Sequence, residues 1–206
     1  MLEAVLVVLA VLVVVLLGVR AVRRLQPVER MDPFALGEPW RIYVREALQA
    51  ESRFKQAVGH VKDGPLRERL NEIGERVHEG VVECWNIASR ANAMQKALAA
   101  VDARSKESDL ARLQRELDTA PNESLERAAE SIRAQLAAGA RMESAVWDAR
   151  DRLRLLDARL NEAVTRAAEL SLRQGAVAEL GALRHDVDDV VGEMEALRAG
   201  LEELGG

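Results

Sequence analysis

Glu75 and His78 stand three residues apart, a spacing that on a helix turns both side chains to one side and lets them ligate a single metal ion. Helical bundles that hold two iron ions use this Glu-x-x-His unit twice, on two different helices. The second unit is missing here, because the residue three before His60 is Ala57 and the residue three before His185 is Ala182. His78, next to the apolar residue Val77, is therefore expected on the flank of a helix, partly exposed. His185 with Asp188 and Asp189 repeats a pattern able to capture a divalent cation. In so acidic a stretch the expected role is a solvated face. Cys84 is the single cysteine, so no internal disulfide can form. Its place in an apolar periodicity beside Glu83 predicts a small buried hydrophobe and no reactive thiolate.

No Gly-rich phosphate loop, no Gly-x-Ser-x-Gly elbow and no His-Glu-x-x-His run occurs in the sequence. The expectation is a protein that is not an enzyme, with no catalytic, cofactor-binding or metal-ligating residue, no cofactor and no small-molecule substrate. Across 206 residues, 49% hydrophobic and 31% charged residues with only 3% aromatics match long helices with narrow apolar seams and charged outer faces. The net charge of -5 is concentrated near the end. From Asp186 onward seven acids face one arginine, Arg198, and no basic stripe compensates them, so nucleic acid is not an expected partner.

The elements that must position these residues begin with an apolar run. Ala4 to Val19 is sixteen residues without a polar side chain, and Met1 to Val22 as a helix would span about 33 Å, enough for a hydrocarbon layer of about 30 Å. A cleaved signal peptide would carry basic residues before the run. The order is reversed here: Glu3 precedes it, and Arg20, Arg23, Arg24 and Arg30 follow it. The bias of basic residues toward the cytoplasmic side then predicts an amino terminus outside the cell and a cytoplasmic body at the bacterial inner membrane. Residues 1–25 are thus expected to be a transmembrane anchor in contact with membrane lipid. A linker over 26–38 follows, where Pro27 and Pro33 interrupt any helix. Asp32-Pro33 and Glu38-Pro39 read as helix starts with proline at the first helical position.

The remainder, residues 39–206, reads as helix with three-four spacing of apolar residues. Trp40, Tyr43, Ala47, Ala50, Phe54, Ala57 and Val61 make the first seam. After a turn at Lys62 to Pro65, Leu66, Leu70, Ile73, Val77, Gly80, Cys84, Ile87, Ala91, Met94, Leu98 and Val101 make the second. Leu110, Leu113 and Leu117 predict a short amphipathic helix and Pro121 a reversal. Leu125 to Leu170 keeps the spacing for about six heptads, and it resumes from Leu183 to Leu204 after a slip between Gly175 and Gly181. The expected helices lie near 39–61, 65–103, 106–119, 122–173 and 177–204. Alanine-rich seams bury little surface, so Trp40, Phe54, Trp85 and Trp147 are expected to supply the larger contacts, around three or more helices or across a dimer.

Asp32 to Trp40 (DPFALGEPW) and Val81 to Ala93 (VVECWNIASRANA) resemble a group of single-pass membrane proteins of high-GC bacteria with a cytoplasmic helical or coiled-coil body. The resemblance covers about the first half of the chain and implies an anchored helical body, with no activity attached. In architecture alone the chain is also similar to septation-ring regulators with an outside amino terminus and one span, and no residue motif carries that function over. The fold expected is all-α: a transmembrane helix followed by long antiparallel helices in a coiled-coil-like bundle or rod. The function expected is a non-enzymatic scaffold or adaptor at the cytoplasmic face of the membrane, with a protein partner or a homo-oligomer. A ligand- or metal-binding bundle and a self-associating stalk are the alternatives.

Overall fold

The computed structural model describes residues 31–100, 103–172 and 179–204, of which those from Pro33 onward belong to one compact unit. The anchor expected over 1–25 lies outside the described residues. Among the described residues no helix is long and apolar enough to cross a membrane, and no strand occurs. The fold is all-α. A 3-10 turn at Pro33–Ala35 precedes five helices: α1 (Trp40–Gly59), α2 (Pro65–Ala100), α3 (Ala103–Thr119), α4 (Glu123–Ser171) and α5 (Leu180–Leu204).

Local sequence sets the ends. Pro65 occupies the first position of α2, where its missing N–H is no loss, and Gly64 before it adopts φ 153°, a conformation open to glycine. Asn122 caps α4 by accepting the Ser124 N–H at 2.8 Å, which fixes the reversal after α3 beside Pro121. Pro39 departs from expectation: it precedes α1 as its N-cap, and the first helical residue is Trp40. The preceding segment is packed on the bundle as well. Leu36 is buried, its carbonyl accepts from Arg41 at 2.9 and 3.1 Å, and the Gly37 N–H donates to Asn92 Oδ1 at 3.1 Å.

Side-chain pairs give the helix directions. Glu51 meets His78, and Trp40 meets Gln95, so α1 and α2 run antiparallel. Arg159 meets Glu193 and Arg166 meets Asp186, so α4 and α5 are antiparallel. Glu46 stands beside Asp157 and Arg53 meets Asn161, which makes α1 and α4 parallel. Arg76 with Asp188 at 2.7 Å, Arg184 with Glu72 at 3.3 Å and Arg198 with Glu83 at 2.7 Å make α2 and α5 parallel. These four helices form a bundle, with α2 touching each of the other three. Between α4 and α5, residues 173–178 lie outside the described residues, and with them part of the phase slip expected between Gly175 and Gly181.

The core is the set of seams closing on one another. Phe54, Leu70, Ile73, Val77, Cys84, Ile87, Leu153, Leu160, Leu183, Val187 and Met194 are all buried. Flanking residues Val44, Val81, Ala88, Val164 and Val191 are buried too, which widens each seam into a stripe, as a four-helix cross-section requires. Alanine and glycine let the helices approach closely. A Cβ placed on Gly80 would lie 3.2 Å from Val191 Cγ2, 3.9 Å from Met194 Sδ and 4.0 Å from Leu160 Cδ2, so α2, α4 and α5 converge at this glycine. Gly192, by contrast, has open space around its Cα. Gly192→Ala is expected to stabilise the fold by about 0.5–1 kcal/mol through helix propensity alone, measurable as an increased urea midpoint.

Trp40 and Phe54 supply core contacts, Trp85 is half-buried, and Trp147 is 54% exposed. The expectation that Trp147 fills the core is corrected: it lies one residue beyond seam position Val146, faces outward, and packs under the Arg150 guanidinium at 5.2 Å. The acidic carboxyl-terminal stretch is exposed to solvent, and it also carries ion pairs to neighbouring helices. Asp186, Asp188 and Glu193 are taken up by Arg166, Arg76 and Arg159, while Arg90 donates to the Leu201 and Glu202 carbonyls at 2.8 and 3.0 Å. Each such partly exposed pair is worth about 0.2–1 kcal/mol, and together they hold the acidic α5 between the arginines of α2 and α4.

Helix α4 is 49 residues long, about 73 Å, and only its second half belongs to the bundle. From Ala149 to Leu170 its seam is buried. From Leu125 to Val146 the same spacing continues, but Leu125, Ile132, Met142 and Val146 are half-exposed. Here the cover is α3, which runs back along α4, with Lys106 donating to Gln135 at 2.5 Å, and which has no fully buried residue of its own. This two-helix arm and the bundle share α4.

Candidate functional site

Three places concentrate polar chemistry or open space. The first is the α1–α2 surface around His78. Its Nδ1 lies 2.9 Å from Glu51 Oε1, which also accepts from Lys55 at 2.5 Å. Burial of Glu51 works to raise its pKa, but the hydrogen bonds and positive charge of Lys55 and His78 outweigh it and hold the carboxylate below its ordinary range. Glu75 lines the same shallow cleft of about 800 Å³ beside His78. The pair on one helix face is thus formed, but His78 is turned to the Glu51 carboxylate of α1.

The carboxyl-terminal candidates separate. His185 Nε2 approaches Asp189 Oδ2 at 3.5 Å, whereas Asp188 is drawn to Arg76 and to Arg184. Among the described residues no group of three or more His, Cys, Asp or Glu side chains gathers around a point that a metal ion could occupy. Cys84 is fully buried, and burial together with the nearby carboxyl groups of Asp157 and Glu46 pushes its thiol far above the ordinary range. A thiol so placed is a packing group in the closed bundle.

The second place is one that sequence reasoning missed. Asp157 on α4 is 4% exposed, set among buried Leu153, Leu160 and Val164. Asn161 donates to its Oδ2 at 3.3 Å, while its Oδ1 is buried without a hydrogen-bond partner. Across the interface stands the carboxyl of Glu46 on α1, and burial followed by this neighbour pushes the Asp157 pKa up to about 7. The signal was present in the sequence: Leu153, Asp157, Leu160 and Val164 follow a four-three-four spacing that puts the acid on the apolar stripe.

The third is a groove of about 750 Å³ where the bundle meets the arm. Pro39 and Trp40 of the α1 start, Leu98 near the end of α2, and Leu136, Val146 and Trp147 of α4 line it, with Glu107 and Glu143 among the polar residues. Ala137, Gly139 and Ala140 lower the α4 wall so that the groove stays open, and no charged side chain is fully buried in it. The groove is lined mainly by apolar surface, with polar residues among its walls. Compared with known proteins, the chain matches no family model, no curated protein and no solved structure.

Proposed function

We propose that this chain is a non-enzymatic scaffold or adaptor, anchored in the bacterial inner membrane by residues 1–25 with its helical body in the cytoplasm, and that the α3–α4 arm and the groove at its base engage a protein partner. The observation that carries this reading is the behaviour of one helix. The α4 seam is sealed inside the bundle from Ala149 onward and left half-open along the arm, although its spacing does not change. Apolar surface kept available on an otherwise closed body supports binding of protein. Over residues 103–146 seven basic and eight acidic side chains nearly cancel, which fits a protein partner and gives no attraction for nucleic acid.

The experiment is affinity purification of the carboxyl-terminally tagged full-length chain from mildly solubilised membranes, beside a variant in which a short Gly-Ser linker replaces residues 103–146. The expected result is a stoichiometric partner on the full-length chain, cross-linked to arm residues, and its loss on excision while the circular dichroism of the bundle persists. A partner retained after excision overturns the assignment to the arm. Recovery of the full-length chain with copies of itself supports the self-associating stalk instead. Turnover of a substrate or stoichiometric metal in the purified protein ends the scaffold reading. A reporter fused to the carboxyl terminus tests the topology, with a cytoplasmic signal expected.

A further inference from the structure

The interface between α1 and α4 contains a contact that two ionised groups would not make. Asp157 is 4% exposed, yet among the described residues no basic side chain donates a hydrogen bond to it. Arg53 of α1, a cation that acts on Asp157, spends its Nη2 donor on Asn161 Oδ1, and Asn161 in turn gives its amide to the Asp157 main-chain carbonyl at 2.9 Å and to Oδ2. What remains is Oδ1, buried without a partner among the described residues, and the carboxyl beside Asp157 is that of Glu46, two turns before Arg53 on the same face of α1. Two neighbouring carboxylates offer only acceptors to each other, and a buried oxygen left without a donor is satisfied by a proton held within the pair.

We propose that Asp157 and Glu46 form a proton-binding site across the α1–α4 interface, and that the shared proton keeps α1 closed on the bundle. Glu46 lies on the exposed side of α1, so the site exchanges its proton with solvent although Asp157 itself is enclosed. The other groups facing Asp157 do not replace the proton. From α1, Arg53 is engaged as described; from α2, Cys84 is a neutral thiol; on the α5 side, Glu193 is held by Arg159, two residues on from Asp157.

The direction with pH follows from linkage. The closed chain keeps the Asp157 proton to about pH 7, whereas an opened chain releases it in the ordinary carboxylate range. The site's contribution is complete below that range, declines as pH rises toward about 7, and changes no further above it. Across this window the opening of α1 becomes progressively easier. Because α1 follows the segment that leads from the amino-terminal region, the proton controls how firmly the start of the body is fastened to its longest helix.

Cys84 supplies the readout, since it is the single cysteine, is fully buried, and lies close enough to Asp157 and Glu46 to feel their charge. The detergent-solubilised full-length chain is labelled with 4,4′-dithiodipyridine from pH 5 to pH 8, and its rate is divided by that of Asp157→Asn, which cancels the thiol's own pH dependence. The expected ratio climbs by up to about tenfold per pH unit from pH 5 and levels off near pH 7. A ratio that stays constant across the range overturns the proposal. Glu46→Gln provides a second test that does not depend on how Asp157→Asn folds: its amide can donate to ionised Asp157, so the plateau is expected at lower pH. An unchanged plateau in Glu46→Gln removes Glu46 from the site and overturns the sharing.

Discussion

Trp40→Ala is expected to destabilise the fold by about 3–5 kcal/mol, while Trp147→Ala changes it by less than about 0.5 kcal/mol. Trp40 is 1% exposed, meets Tyr43 edge-on at 6.4 Å, and donates its indole N–H to Gln95 Oε1 at 2.7 Å. Its removal opens a cavity where the start of α1 crosses the end of α2, and strips the bond that fixes their register. Trp147 covers only surface and the Arg150 guanidinium, so its truncation leaves no buried void. Urea unfolding followed by far-ultraviolet circular dichroism separates the two. Equal losses would mean that Trp147 is buried against something in the assembled protein, and would direct attention to the groove it lines.

Gly80→Leu is the second large effect, an expected loss of about 3 kcal/mol. The added branch has nowhere to go, since Val191 Cγ2, Met194 Sδ and Leu160 Cδ2 already surround the position of its first carbon. Relief requires α5 to move away from α2, which would lengthen Arg76–Asp188 and Arg198–Glu83 at once. The measurement is the urea midpoint together with protease sensitivity of α5. A variant as stable as the parent would show that α5 packs elsewhere. The opposite sign expected for Gly192→Ala, on the outer face of the same helix, keeps the comparison free of any general intolerance to side chains at glycine.

The all-α bundle was legible because the seams repeat for many turns: Trp40, Tyr43, Ala47, Ala50 and Phe54 are buried as the spacing requires, and so are Ala149, Leu153, Leu156 and Leu160. Spacing alone did not distinguish Ala149, which is sealed, from Met142, which is half-open, because both keep the same phase on the same helix. How many neighbours surround a seam is decided by elements distant in sequence. The acidic stretch held a pairing that spacing could not show for the same reason: Asp188 stays partly solvated, yet it meets Arg76, 112 residues earlier. Asp157 was missed because Leu156 beside it carries the seam, and the Leu153, Asp157, Leu160 and Val164 spacing becomes a second buried face only when a fourth helix widens the stripe.

The parallel pairing of α2 with α5 fixes an order of events during synthesis. The contact of Glu51 with His78 joins residues 27 apart, whereas that of Arg76 with Asp188 joins residues 112 apart. Closing the longer loop costs only about 1 kcal/mol more entropy, so the finished bundle barely registers the difference. A growing chain does, since contacts of long range form late. The α2 and α4 surface around Gly80 and Leu160 stays uncovered on one side until α5 leaves the ribosome, so a chain cut short before Leu180 would expose an apolar trough along the bundle.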